Sequence, residues 1–302
     1  MDPLLSRLKD YLPLIVMPVF LLIVEFGSLA LSAPVQAAGL VAFEDPESMA
    51  NPLIFMALLL GFTAILLLLI KYGRKNLIAW VIAASIFLTF VYTFAAIVPL
   101  LVGPGYVQIA VMLALSIAAS VLLYKYPEWY VIDGLGLLLA AGVASIFGAS
   151  FDIIPVILLL VILAVYDAIS VYKTKHMLTL AEGVIDMKTP ILFVIPKKRD
   201  YSYIKEGIGK LGEGEERSAF IIGMGDLIMP AILVVSASIF THGTKYFGLI
   251  NLPALGAIVG SVAGLIVLLH FVMSGRPQAG LPPLNGGTIL GFFIGWALIG
   301  FA

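Results

Sequence analysis

Two carboxylates, Asp167 and Asp226, are the side chains whose type and placement could do chemistry. Each lies within an apolar stretch long enough to cross a bilayer, where an ionisable group costs about 2.5–3.5 kcal/mol even on a lenient insertion scale. Asp167 falls about five residues before the end of one stretch and Asp226 about eight after the start of the next, which at about 1.5 Å per residue gives depths of roughly 8 and 12 Å below the same face. On consecutive antiparallel helices the two can therefore meet. Carboxylates that approach closely in a low-dielectric site cannot both ionise, so the pair holds one shared proton. In that state one member can take a proton from a water that attacks an amide carbonyl. The other hydrogen-bonds the developing oxyanion, and a proton then reaches the leaving nitrogen. Amide hydrolysis by this route needs neither a metal nor a nucleophilic side chain.

The residues around the pair fit a close approach. Gly223-Met224-Gly225 runs directly into Asp226. Two glycines bare one face of a helix, so that another backbone can come near. Ordinary packing of small residues explains many membrane glycines, and it is the combination with Tyr166-Asp167 at matching depth that makes chance a poor account. A third element, Leu281-Pro282-Pro283-Leu284, opens the last apolar stretch. Prolines are tolerated in a first helical turn, whose N–H groups lack partners anyway. Read functionally, the same residues form a stiff, irregular start with unpaired backbone groups, which must be buried against protein or face water.

Other ionisable groups carry less. Asp133 and Asp152 lie near the ends of apolar stretches and are read as reaching headgroups or water. Glu25 is deeper and is expected to line a polar interior or pair with another helix. His176, His242 and His270 have no zinc-site spacing, and with no cysteine there is no thiolate metal site, disulfide or cysteine nucleophile. No cofactor or metal is expected.

The elements that must position these residues are membrane helices. The 302 residues are 62% hydrophobic and 12% charged, far below the charge of a soluble domain. The formal net charge of -1 offers no surplus for nucleic acid. About nine spans are expected, over Tyr11–Leu31, Pro52–Ile70, Leu77–Leu101, Tyr106–Leu123, Trp129–Phe147, Ile153–Tyr172, Ser218–Thr241, Leu249–Met273 and Pro283–Phe301. The chain thus divides into six spans over 1–172, a loop over 173–217 and three spans over 218–302. Of the 17 basic residues, all but Lys245 fall before the first span or in even-numbered loops. That bias places the N-terminus in the cytoplasm and the C-terminus outside. Arg7 and Lys9 before an apolar stretch also resemble a cleaved signal peptide, but the stretch is longer than the usual signal core and contains Glu25. The 173–217 loop is too long for a simple connection. Its Gly- and Glu-rich part reads as a solvated tract, and Ile191–Ile195, set between Pro190 and Pro196, as a strand or edge awaiting a partner, or else as a loop segment resting on the membrane.

Tyr166-Asp167, Gly223-Met224-Gly225-Asp226 and Pro282-Pro283-Leu284, in that order on the sixth, seventh and ninth spans, resemble the YD, GxGD and PAL motifs of the presenilin and signal peptide peptidase family. The resemblance covers the whole chain, and the short loops look like those of an archaeal presenilin homologue. It implies an all-α, nine-helix intramembrane aspartyl protease of the cell membrane, with Asp167 and Asp226 as the catalytic pair and the other motif residues shaping the site. Pro283 stands where the family motif has alanine, which alters the local backbone while Pro282 and Leu284 keep the pattern. The cytoplasmic N-terminus fits the presenilin branch, and with it transmembrane substrates whose own N-termini lie outside. The long loop is implied to rearrange on substrate entry, and Ile191–Ile195 is the candidate to pair with an unwound substrate. The partners expected are transmembrane helical substrates and the lipid bilayer; a homo-oligomer is compatible with the sequence. Two alternatives use similar residues. A prepilin peptidase shares the GxGD aspartate but usually has a lysine soon after it, where this chain reads Leu227-Ile228-Met229. A proton-coupled transporter would use paired intramembrane carboxylates but should show matching interrupted segments in two halves, and none is evident.

Overall fold

A computed structural model of the chain describes residues 3–174, 192–198, 200–207, 219–272 and 278–299. Among these, nine long helices and one two-stranded antiparallel ribbon are present. The helices are α1 (Pro3–Ala37), α2 (Ala50–Lys71), α3 (Lys75–Ile97), α4 (Tyr106–Lys125), α5 (Trp129–Gly148), α6 (Ile153–Ile169), α7 (Met224–Phe240), α8 (Leu252–Val272) and α9 (Leu281–Leu298). The strands are β1 (Leu192–Pro196) and β2 (Ala219–Gly223), with a single helical turn at Tyr203–Glu206 between them. Eight of the helices are long and apolar enough to cross a membrane, α6 with its continuation to Lys173, and α7, at 17 residues, is shorter.

The short α7 marks where the sequence reading is corrected. The expected seventh span, Ser218–Thr241, is divided: Ala219–Gly223 is a strand and the helix begins at Met224. An apolar run reads alike as buried strand or buried helix. What decides here is pairing, since β1 runs antiparallel to β2 with Leu192 opposite Gly223, Val194 opposite Ile221 and Pro196 opposite Ala219. The described part of the 191–195 run, from Leu192 on, is thus already partnered within the chain. Ile191 and the Gly- and Glu-rich part of the loop lie outside the described residues.

The core gathers around α7, whose Leu227, Ala231, Ile232, Leu233, Val234 and Val235 are buried against residues from α1, α5, α6, α8, α9 and both strands. Helices α2, α3 and α4 lie to one side, with small clusters such as Leu66, Ile78 and Ile82 between them. Their exposed leucines, isoleucines and aromatics need no water-excluding partner if lipid covers them. Helices α8 and α9 form the closest pair. Gly256, Gly260 and Gly264 face Gly287, Gly291 and Gly295, and a Cβ added to any of the six would collide with backbone of the other helix. Backbones can approach this closely only through small residues.

Candidate active site

Asp167 lies in the last turn of α6 and is buried. Its Oδ2 accepts the N–H of Leu281 at 3.0 Å, from the first residue of α9. Pro282 and Pro283, next in that turn, have no N–H to offer, so the aspartate caps the helix at one of its few remaining donors. The Pro282-Pro283-Leu284 segment is consequently regular helix rather than an irregular start, and Leu284 is buried in the core.

Asp226 lies in the first turn of α7 and is half-buried. A Cβ placed on Gly280 would sit 2.9 Å from Asp226 Oδ2 and 3.1 Å from its Cγ. Asp226 therefore lies against Gly280 while Asp167 binds Leu281, so both carboxylates reach the same peptide link. Asp226 stands in the first turn of its own helix, where the backbone dipole favours negative charge, whereas Asp167 ends α6 and meets a helix N-terminus only through the Leu281 N–H of α9.

The glycines before Asp226 do not sit as expected. Gly223 ends β2 and its bare Cα faces the Asp226 carboxylate of its own segment, while Gly225 is exposed with nothing within 4 Å of an added Cβ. Neither is a helix-packing glycine; Gly225 leaves open space beside the carboxylate. Met224 packs its methyl toward Gly136 of α5. Tyr166 is half-buried in α6, and its carbonyl accepts the Ser170 hydroxyl at 2.6 Å.

Several residues of this region gave no signal in the sequence. After Asp167 the helix widens into a π turn, Ser170–Thr174, a distortion often found at functional sites. This turn carries Tyr172, whose hydroxyl donates to Gln278 Oε1 at 2.8 Å and accepts the Ala279 N–H at 3.2 Å. The segment leading into Gly280 is thereby tied to α6. Two turns earlier on α6 the Leu160 carbonyl accepts the Asn285 side-chain amide at 2.9 Å, which anchors the other side of the proline turn.

The remaining carboxylates divide. Asp152 caps α6 through its own Oδ1 to the Ile153 N–H at 2.6 Å, as a group at a helix end can. Glu25 is fully buried and accepts the Ser261 hydroxyl of α8 at 2.6 Å, the pairing with another helix that its depth suggested. Asp133 departs from expectation. It does not reach toward headgroups but is 4% exposed, and it accepts the Val194 N–H of β1 at 2.8 Å. Among the described residues no cluster of histidine and acidic side chains could hold a metal ion.

Comparison with known proteins agrees with this architecture. The sequence model of the family described as signal-peptide peptidase, presenilin aspartyl protease matches residues 17–301. Two solved structures, each described as a presenilin family intramembrane aspartate protease, are similar to the chain. One, in space group C222, is 49% identical, with 95% of this chain and 100% of that one covered and a TM-score of 0.72. The other, in P2, is 50% identical, with 96% and 99% covered and a TM-score of 0.71. No curated protein matches. With the match running nearly from end to end, the chain belongs to the signal peptide peptidase and presenilin family of intramembrane aspartyl proteases.

Proposed function

We propose that this protein is an intramembrane aspartyl endopeptidase of the GxGD type, which hydrolyses peptide bonds within the transmembrane segments of membrane-protein substrates in the cell membrane. The observation that carries the reading is that Asp167 and Asp226 both reach the Gly280–Leu281 link. One carboxylate removes a proton from a water whose oxygen bonds to the scissile carbonyl carbon. The other donates its proton to the carbonyl oxygen, giving a neutral tetrahedral diol. Collapse of the diol re-forms the carbonyl, breaks the C–N bond and delivers a proton to the leaving nitrogen. Tyr166, Gly223, Met224, Gly225, Pro282, Pro283 and Leu284 shape the site, with Gly225 leaving room for a backbone beside Asp226.

A helical substrate hides its peptide bonds, so a stretch must be unwound before the pair can reach one. The edge we assign to an unwound strand is that of β2, beside which no other strand than β1 lies among the described residues. On β1 the outward-facing residues alternate with those paired to β2. Of them, Val194 already donates to Asp133 and Pro196 has no N–H. On β2 the outward positions are Ala219 and Ile221, opposite Pro196 and Val194, and that strand leads straight into Asp226. A substrate strand added there is delivered to the carboxylates.

The test is a single-span substrate incubated with the intact protein in detergent, with and without a peptide isostere bearing a hydroxyl in place of the scissile carbonyl. Such a compound mimics the diol and is expected to block cleavage competitively. Cleavage that persists at saturating isostere would contradict the two-carboxylate reading.

A further inference from the structure

The face of α5 turned toward the ribbon carries polar groups that the cleavage chemistry does not use. Glu128, just before α5, accepts the Ser202 hydroxyl through Oε1 at 2.6 Å and the Tyr203 N–H through Oε2 at 3.0 Å. One turn on, Ile132 packs with Val194, Tyr201, Tyr203 and Ala219 in a buried cluster of its own. Asp133 takes the Val194 N–H. A further turn on, Gly136 makes room for Phe193 and Met224: an added Cβ would lie 3.0 Å from the Phe193 ring and 2.6 Å from the Met224 methyl. Glu128, Ile132, Asp133 and Gly136 thus form a continuous docking face. Within it, among the described residues, Asp133 alone bonds to the strand backbone itself.

We propose that Asp133 is a positioning residue that fixes the register of the ribbon, and through it the peptide bond presented to Asp167 and Asp226. A strand slides along a neighbour most easily when both its edges are uncommitted. The Asp133–Val194 bond commits the outer edge of β1 at its middle residue and closes it to a competing strand. The backbone of the ribbon is then bonded to α5 at that residue, and β2, paired to β1 residue by residue, inherits that position. This rests on the reading that substrate adds to β2. The other Asp133 oxygen, Oδ2, is buried with no hydrogen-bond partner among the described residues, so an amide nitrogen in its place breaks no hydrogen bond and leaves the acceptor for the Val194 N–H, whereas leucine removes that acceptor.

The experiment compares wild type, Asp133→Asn and Asp133→Leu on one single-span substrate, with products identified by mass spectrometry and kcat and KM measured. Asp133→Asn is expected to match wild type in cut sites. Asp133→Leu is expected to raise the share of neighbouring cut sites at least about threefold and to lower kcat about tenfold, with KM within about twofold. The distribution of cut sites does not depend on how much of the enzyme is folded, so general destabilisation does not imitate the result. Should the leucine variant not fold, Val194→Pro, which removes the donor from the other side, is read in the same way. Unchanged cut sites in the leucine or proline variant overturn the proposal, as does a redistribution equally strong in Asp133→Asn, which would make charge the relevant property. Failure of the underlying protease reading is distinct, since wild type itself would then not cleave.

Discussion

Asp167 works as a cap as well as a carboxylate. Its bond to the Leu281 N–H draws the start of α9 toward α6, and Gly280 brings the same backbone within contact of Asp226. The absence of a side chain at Gly280 is what allows this, because a Cβ there would lie 2.9 Å from Asp226 Oδ2. Gly280→Ala is therefore expected to displace the Asp226 carboxylate and slow cleavage by about ten- to a hundredfold while leaving the melting temperature nearly unchanged. A rate equal to wild type would show that the contact is not felt at the site. Asp167 and Asp226 stand out in the sequence because a carboxylate in a span is expensive whatever surrounds it. Gly280, Tyr172 and Gln278 do not, because their roles exist only through partners distant in the chain, such as Asp226 for Gly280 and, at a separation of 107, Ala279 for the Tyr172 hydroxyl. Asp133 was read from its nearness to a span end, and nothing in its neighbours announces that a strand passes over it.

At the scale of elements, the region just before Asp226 is where composition misleads. Ala-Phe-Ile-Ile-Gly continues the apolar character of α7 without a break, so hydropathy merges strand and helix into one span. The strand forms because β1 supplies its ladder, and that partner is itself a short apolar run ending at Pro196. Glycine spacing carried a signal that went unread. Gly256, Gly260 and Gly264 on α8, and Gly287, Gly291 and Gly295 on α9, each recur every fourth residue, the pattern of closely packed membrane helices. Gly260→Ala would press a methyl group into the Gly287 carbonyl and to 2.9 Å from Gly291 Cα. The expected cost is about 1–3 kcal/mol, seen as a lower melting temperature in detergent. Because α9 begins at the candidate site, cleavage should fall with it. An unchanged melting temperature would mean that the two helices separate easily, contrary to the close packing described.

For the molecule as a whole, hydropathy made most of the helical architecture legible. Eight of the nine expected spans are helices long and apolar enough to cross a membrane, and each of these is a long helix that needs no distant partner to satisfy its backbone. The ribbon was only half legible, as one strand without its mate, because pairing is a tertiary fact. Orientation follows from the basic loops: the N-terminus is proposed to be cytoplasmic and the C-terminus external. The chain has no cysteine, so single-cysteine variants report cleanly. Arg74→Cys should react with an impermeant maleimide only from the cytoplasmic face and Lys245→Cys only from the outer face. The reverse pattern would contradict the proposed orientation and, with it, the substrate topology.

The carboxylate pair is tested most directly by measuring cleavage of a single-span substrate in detergent by wild type, Asp167→Asn and Asp226→Asn, each checked for an unchanged melting temperature. Both asparagine variants should lose cleavage by at least about a hundredfold, because neither amide can exchange the shared proton with water or the leaving nitrogen. Retained cleavage in either folded variant would contradict the two-aspartate mechanism.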